Sequence, residues 1–350
     1  MAAQSTTPEP RFYALSESRN LGIATCREAG LQPSNLEERT FEGGEFKLRP
    51  LESARGRVVY VLQSLAGSPT TSVADRFVRL LFLLNGLRDA GATERIAIIP
   101  YLAYARKDRR TQLRDPVNTR YVAQLLEASG ANRIMALDVH NPAALDNAFR
   151  IPVDHLTALP MMAEHLVARL GSAKFTVVSP DVGGIKRAQL FQEQMEVAAG
   201  RPGELAFLEK RRALGKVSIG RLVGDVEGRI ALVVDDLCAT GGTLLRAADK
   251  CREAGALAVH VAVTHAPLAA GIEAVAAAES VTEVVVTDSV GTRDPQGRSA
   301  SQKLFTLSVA PLFGQAVRRI QSGQPVAPLL TGWPVSSEMS QGGRHGTSLG

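Results

Sequence analysis

Val233-Val234-Asp235-Asp236-Leu237-Cys238-Ala239-Thr240-Gly241-Gly242-Thr243 is an apolar strand that ends in two carboxylates and runs through a small-residue loop into a helix. The loop offers backbone N–H groups at the positive end of that helix, a ready cradle for a phosphate. The glycine pair lets the backbone come close to a ligand, and the threonine hydroxyls add donors. Asp235 and Asp236, side by side at the strand's carboxyl edge, suit the vicinal hydroxyls of a sugar, directly or through a divalent ion. The crevice beyond strand C-termini is where an open α/β sheet binds its ligand. A tight βα turn with an Asp cap is the plainer alternative, and it leaves the Thr-Gly-Gly-Thr run unexplained. The chain contains neither GxxxxGK[ST] nor GxGxxG, so the usual nucleotide signatures are absent.

Working outward, the strand Gly228–Val234 has an echo at Gly56–Leu62. Each is followed by a polar loop and a helical stretch closing on Ala-Gly-Ala, at 90–92 and 254–256. Each then re-enters a strand, Arg95–Tyr101 and Ala258–Thr264. Val73, Phe77, Leu80, Leu81, Leu84 and Leu87 carry the 3–4 spacing of a helix with one buried face. Continuous apolar strands alternating with such helices predict βαβ units and parallel sheets. Further strands are expected at Arg133–Val139, Phe175–Ser179 and Glu283–Thr287. The expectation is therefore an α/β chain of two similar domains, residues 11–157 and 158–322, related by duplication. The hinge falls at Leu156–Pro160, before a helix with Met162, Leu166 and Leu170 on one face. The Ser336–Gly350 tail, rich in Gly and Ser, is expected to be disordered.

The 350 residues predict about two domains. Apolar content of 45% and charged content of 21% fit an ordinary globular chain able to build its cores without staples. Three cysteines with no CxxC pair argue against a disulfide framework or structural zinc. No apolar run reaches the ~18 residues of a membrane span, and Met1–Pro10 lacks the order of a secretory leader. A cytoplasmic protein with no membrane partner is expected. The net charge is +5, aromatics are 5%, and one dense basic run occurs at Arg106–Arg110. That pattern favours anionic small molecules over nucleic acid.

The loop at 233–243 resembles the phosphoribosyl-binding motif of type I phosphoribosyltransferases. Other segments narrow the resemblance to the ribose-phosphate pyrophosphokinase (phosphoribosyl pyrophosphate synthetase) family. They include Phe41-Glu42-Gly43-Gly44-Glu45, the run Ile99–Arg109 with Tyr104-Ala105-Arg106, Leu137-Asp138-Val139-His140, Ile151–Leu156, Val178-Ser179-Pro180-Asp181-Val182-Gly183-Gly184, Lys210-Arg211-Arg212 and Leu307–Ala310. They keep the family's order and span about Phe41 to Ile320.

The resemblance implies two phosphoribosyltransferase-type domains with parallel sheets flanked by helices. It implies transfer of the β,γ-diphosphate of Mg-ATP to the C1 hydroxyl of ribose 5-phosphate, releasing AMP. Carried over by motif, Phe41, Glu45, Arg106, Lys107 and His140 bind ATP, the hairpin at Phe41–Glu45 acting across a subunit contact. Asp235, Asp236, Ala239, Thr240, Gly241, Gly242 and Thr243 bind ribose 5-phosphate. His140 and Asp181 stand by Mg²⁺, and Lys210 and Arg212 are the catalytic cations of a mobile loop. A homo-oligomer, dimer or hexamer, is implied as well. On the residues alone, Lys210–Arg212 reads first as a solvated charge run and His140 as a structural strand-end histidine, so their roles rest on the resemblance. His155, His165, His260, His265 and His345 receive no role, and Cys238 reads as a small buried filler.

Four departures from the family pattern stand out. Gly43 replaces the Asp or Asn that would accept from the adenine amino group, which leaves strict ATP preference open. Lys107 takes the place of a Gln, and Ala239 that of an Asp. Both serines of the usual C-terminal Ser-Val-Ser segment are missing from Pro325–Leu330, so control by phosphate and ADP is not implied. Two alternatives stay open: a phosphoribosyltransferase, and a non-catalytic regulatory subunit that binds an active synthetase.

Overall fold

A computed structural model describes residues 8–213, 216–291 and 301–330, with the side chains of 210–220 and of residue 330 outside the description. The expected tail at 336–350 therefore lies outside the described residues.

The first half contains β1 (Arg11–Ala14), α1 (Arg19–Ala29), a hairpin of β2 (Leu36–Thr40) and β3 (Phe46–Pro50), β4 (Val58–Leu62), α2 (Val73–Asp89), β5 (Glu94–Ile99), α3 (Asn118–Ala128), β6 (Arg133–Leu137), α4 (Pro142–Ala148) and β7 (Val153–Leu156). Its main sheet is five-stranded, in the order β1-β4-β5-β6-β7, with every pairing parallel.

The second half contains α5 (Leu159–Leu170), β8 (Phe175–Ser179), α6 (Ile185–Ala199), β9 (Glu204–Ala213), β10 (Lys216–Val223), β11 (Ile230–Leu237), α7 (Gly242–Glu253), β12 (Ala258–His265), α8 (Ala269–Ala277), β13 (Glu283–Thr287), β14 (Leu304–Leu307), α9 (Ala310–Gln321) and α10 (Ala327–Leu330). These strands form a seven-stranded sheet, β10-β9-β8-β11-β12-β13-β14. Only the β9–β10 edge pairing is antiparallel. The expected α/β class with parallel sheets and flanking helices is what the chain adopts.

The sequence echo is also a hydrogen-bond echo. Gly56 N donates to Gly91 O at 2.9 Å, and Gly228 N to Gly255 O at 3.0 Å. Thr93 N then donates to Arg57 O, and Leu257 N to Arg229 O, each at 2.9 Å. All four glycines have φ between +65° and +87°, a region that favours glycine, so each repeat needs them to turn from helix to strand.

Strand alternation then divides the core. Tyr60 and Leu62 of β4 share one apolar cluster with Ile230, Leu232 and Val234 of β11 and with α1, α5, α6 and α9. Val59 and Val61 face α2 and α3 instead, while Ala231 and Val233 face α7 and α8. The two sheets thus bury one helical layer between them, with further helices on each outer face. Phe77, Leu80, Leu84 and Leu87 are buried on α2 as their spacing requires, and Met162, Leu166 and Leu170 are buried on α5. Among the described residues no helix is long and apolar enough to cross a membrane.

Candidate active site

The C-terminal ends of β6, β11 and β12 open on one cleft, of about 170 Å³, that both halves line. Arg106, Lys107 and His140 come from the first half, and Asp236 and His265 from the second.

Its central contact is between His140 and Asp236, Nδ1 to Oδ2 at 2.9 Å. This bond raises the His140 pKa against the opposing effect of burial. Burial alone would push the Asp236 carboxyl up, but His140 and Arg187 outweigh it and hold the group well below the usual carboxylate range. Arg187 spans both acids, with Nη1 2.8 Å from Asp235 Oδ1 and Nη2 3.1 Å from Asp236 Oδ1. Asp235 Oδ1 also accepts from Asp236 N at 2.9 Å. Burial first, and then the charge of Asp236, push the Asp235 carboxyl upward despite that arginine.

Beyond the acids, the chain turns through Ala239–Thr243 into α7. Gly241 has φ +79° at the helix start and carries no capping side chain, so the first-turn N–H groups are left to an external acceptor. The loop is clamped from behind. A Cβ on Gly241 would stand 2.5 Å from Gly271 O, and one on Gly271 would stand 2.1 Å from Ala239 O. The Arg246 guanidinium lies against Gly242, its Nη1 3.2 Å from where a Cβ would be.

The other expected residues fall as follows. Lys107 lines the cleft, but its ammonium bonds Asp115 and, at 3.0 Å, Thr111 Oγ1. Asp181 caps the turn ahead of α6, Oδ1 accepting from Gly184 N at 3.1 Å, and does not line this cleft. Phe41 and Glu45 close the tip of the β2–β3 hairpin, with Phe41 N donating to Glu45 O at 2.7 Å, and they too stand outside the cleft. Lys210 and Arg212 belong to β9, paired with Ile219 and Val217 of β10, where a loop was expected. Their side chains lie outside the described residues. The β9–β10 pair forms one margin of the seven-stranded sheet, with β10 as its edge strand.

Sequence reasoning missed Arg187, Asp138, His155, His265 and Gly271. Only the Gly-Gly before α6 and the histidine closing β12 gave any hint of them. Among the described residues no three His, Cys, Asp or Glu side chains converge into a metal cage. A hard cation that arrives with phosphates needs no such cage, because it usually takes one or two carboxylates, the phosphate oxygens and water.

The N-terminal domain of ribose phosphate pyrophosphokinase matches residues 11–130, and the phosphoribosyl synthetase-associated domain matches residues 210–331. A ribose-phosphate pyrophosphokinase of Caldanaerobacter subterraneus is 36% identical over 92% of this chain and 98% of its own length. Ribose-phosphate pyrophosphokinase 1 of Streptococcus pneumoniae is 32% identical over 91% of this chain and 96% of its own. The crystal structure of phosphoribosylpyrophosphate synthetase from Mycobacterium smegmatis superposes with a TM-score of 0.79 at 31% identity, covering 90% of this chain and 99% of that one. With both halves matched and nearly the full length of these relatives covered, the chain belongs to the ribose-phosphate pyrophosphokinase family.

Proposed function

We propose that the protein transfers the β,γ-diphosphate of Mg-ATP to the C1 hydroxyl of ribose 5-phosphate, giving 5-phosphoribosyl 1-pyrophosphate and AMP. The observation that carries this reading is the His140–Asp236 hydrogen bond, which joins the nucleotide side of the cleft to the strand that ends in the sugar-binding acids.

The C1 oxygen bonds to the β-phosphorus, the α–β bridge breaks and departs with AMP, and the hydroxyl proton is released. Such a transfer depends on positioning and charge neutralisation more than on covalent help from the protein. Ala239–Thr243 hold the 5-phosphate on the α7 N-terminus, and Asp235 and Asp236 orient the ribose hydroxyls. Arg106 and Lys107 take the nucleotide phosphates, and Lys210 and Arg212 close over the reacting centre and neutralise its charge. His140 and Asp181 are the residues that would hold Mg²⁺, which supplies charge neutralisation at the phosphates. Arg187 bridges the paired acids and sets their spacing before the sugar arrives.

The β2–β3 tip, with Phe41 and Glu45, serves the nucleotide site of a second copy, which makes the working unit a homo-oligomer, dimer or hexamer. Residues 11–157 and 158–322 are its two domains, and the cytoplasm is its compartment. A phosphoribosyltransferase is not favoured, because the family match takes in the first half of the chain as well.

Incubation with ATP, Mg²⁺ and ribose 5-phosphate, followed by separation of the products, tests the reading. AMP formed in step with phosphoribosyl pyrophosphate supports it, and ADP in its place overturns it. If neither ATP nor any other nucleoside triphosphate turns over, the regulatory-subunit alternative replaces it.

A further inference from the structure

We propose that His265 is a positioning residue of this reaction: a neutral imidazole, protonated on Nε2, that holds the Leu137–Val139 turn and so aims His140 at Asp236. The proposal rests on the function proposed above and adds a residue to which the sequence assigned no role.

The geometry sets the tautomer. His265 closes β12, is buried at 3% exposure, and lies 3.1 Å through Nε2 from the carbonyl of Leu137. A carbonyl only accepts, so Nε2 must carry the hydrogen. Nδ1 lies 2.8 Å from Ser289 Oγ. Thr287 Oγ1 meets Thr264 O at 2.6 Å, which engages the threonine's single hydrogen. Ser289 Oγ lies 3.3 Å from Thr264 O, so its hydroxyl donates to the nearer, unprotonated Nδ1. Burial, which disfavours the charged imidazolium, acts in the same direction.

The turn that His265 holds is strained. Asp138 has φ +35°, a region in which L-residues are rarely found, and it persists only where its surroundings over-determine it. Three fastenings do so. His265 donates to Leu137 O. Asp138 Oδ2 accepts from Thr264 Oγ1 at 2.7 Å and from Ala158 N at 3.0 Å. Val139 N donates to His155 Nε2 at 2.9 Å, so the second histidine holds the opposite tautomer.

His265 reaches further than this turn. Its ring stands edge-on to Tyr101, with centroids 5.1 Å apart, at the root of the Arg106 loop. Its carbonyl accepts from Cys238 N at 2.8 Å, at the root of the phosphate loop. The side chain therefore touches the His140 turn and the root of the Arg106 loop, while the backbone of the same residue holds the root of the phosphate loop. Displacements of about 1 Å in such supports cost on the order of 100-fold in rate.

The test compares His265→Gln with His265→Asn. Glutamine can place an N–H where Nε2 stands, whereas asparagine reaches only the Nδ1 position. His265→Asn is expected to lower kcat at least ~10-fold with both KM values within ~2-fold of wild type, and His265→Gln to restore kcat to within ~3-fold. The pH profile of the Gln variant should parallel that of wild type, because a neutral His265 donates no proton to the reaction. Nitrogen-15 NMR of the wild-type ring should show the Nε2–H tautomer across about pH 6 to 9. Wild-type kcat in both variants overturns the proposal, as does equal loss in both or loss of one limb of the pH profile in the Gln variant. So does an Nδ1–H ring. Failure of the wild type to form AMP removes the reaction reading instead, and the NMR tautomer still judges the placement of His265.

Discussion

His140 Nδ1 and Asp236 Oδ2 stand 2.9 Å apart although they are 96 positions apart in the chain. His140 follows the end of β6 in one sheet and Asp236 is the penultimate residue of β11 in the other, at the carboxyl edges where α/β folds gather ligand-binding groups. The bond makes each group the counter-charge of the other: Asp236 favours the charged histidine, and His140 favours the ionised acid. Asp236→Asn removes that charge and leaves His140 without its partner. It is expected to lower kcat by about 10- to 100-fold and to raise the KM for ribose 5-phosphate. Steady-state kinetics with each substrate varied in turn would decide the matter, and unchanged values for both would exclude Asp236 from the site.

Lys210 tests the division of labour between binding and turnover. A cation needed mainly as charge develops in the transition state stabilises the ground state little. Lys210→Ala should therefore reduce kcat far more than it reduces affinity for ribose 5-phosphate. Single-turnover rates and equilibrium binding of the sugar phosphate separate the two effects. A rise in Kd with unaltered kcat would assign Lys210 to ground-state binding.

The architecture was legible because local and global signals agree. The apolar runs at Val58–Leu62 and Ile230–Val234 become central strands, and the glycines that punctuate them become the matching turns. Asp235, Asp236 and the Thr-Gly-Gly-Thr loop were legible because chemistry and backbone shape coincide in one contiguous stretch. Arg187 was not. It lies 48 residues before Asp235 and its role exists only once α6 packs beside β11. Asp138 was hidden for another reason: its strained φ comes from contacts with Ala158 and Thr264, which sequence spacing does not express. The loop expected around Lys210 instead continues as a strand, since β10 supplies an edge partner that a charge run does not announce.

Gly271 makes the phosphate loop's shape depend on α8. With Ala239 O only 2.1 Å from the place of a Cβ, and backbone on both sides, no flexible side chain can yield. Gly271→Ala must push the loop or the helix aside, at a cost of about 1–3 kcal/mol. Affinity for ribose 5-phosphate should fall about tenfold while nucleotide affinity changes much less, because misplacement is confined to the sugar-phosphate side. Calorimetric titration with each ligand reads this directly. Equal loss for both would mean that α8 supports the whole cleft and not this loop alone.

Away from the cleft, Glu283 sits buried at 6% exposure between α5 and the second sheet. Oε1 meets His165 Nε2 at 2.7 Å, and Oε2 lies 3.2 Å from Arg169 Nε and 3.3 Å from His260 Nδ1. Burial works to raise its pKa, but the hydrogen bonds from His260 and His165 and the charge of Arg169 bring it down from 4.5 to about 2. A carboxylate whose pKa is lower folded than unfolded binds its proton more weakly in the native state. Its contribution to stability is thus fully present above 4.5 and is lost as pH falls toward about 2. Glu283→Gln should flatten the loss of stability through that acid window. Near neutral pH the same variant should be less stable by about 3 kcal/mol, since Arg169 loses its buried counter-charge. Urea melts across the range compare the two slopes, and parallel wild-type and variant curves would remove Glu283 as a source of acid sensitivity.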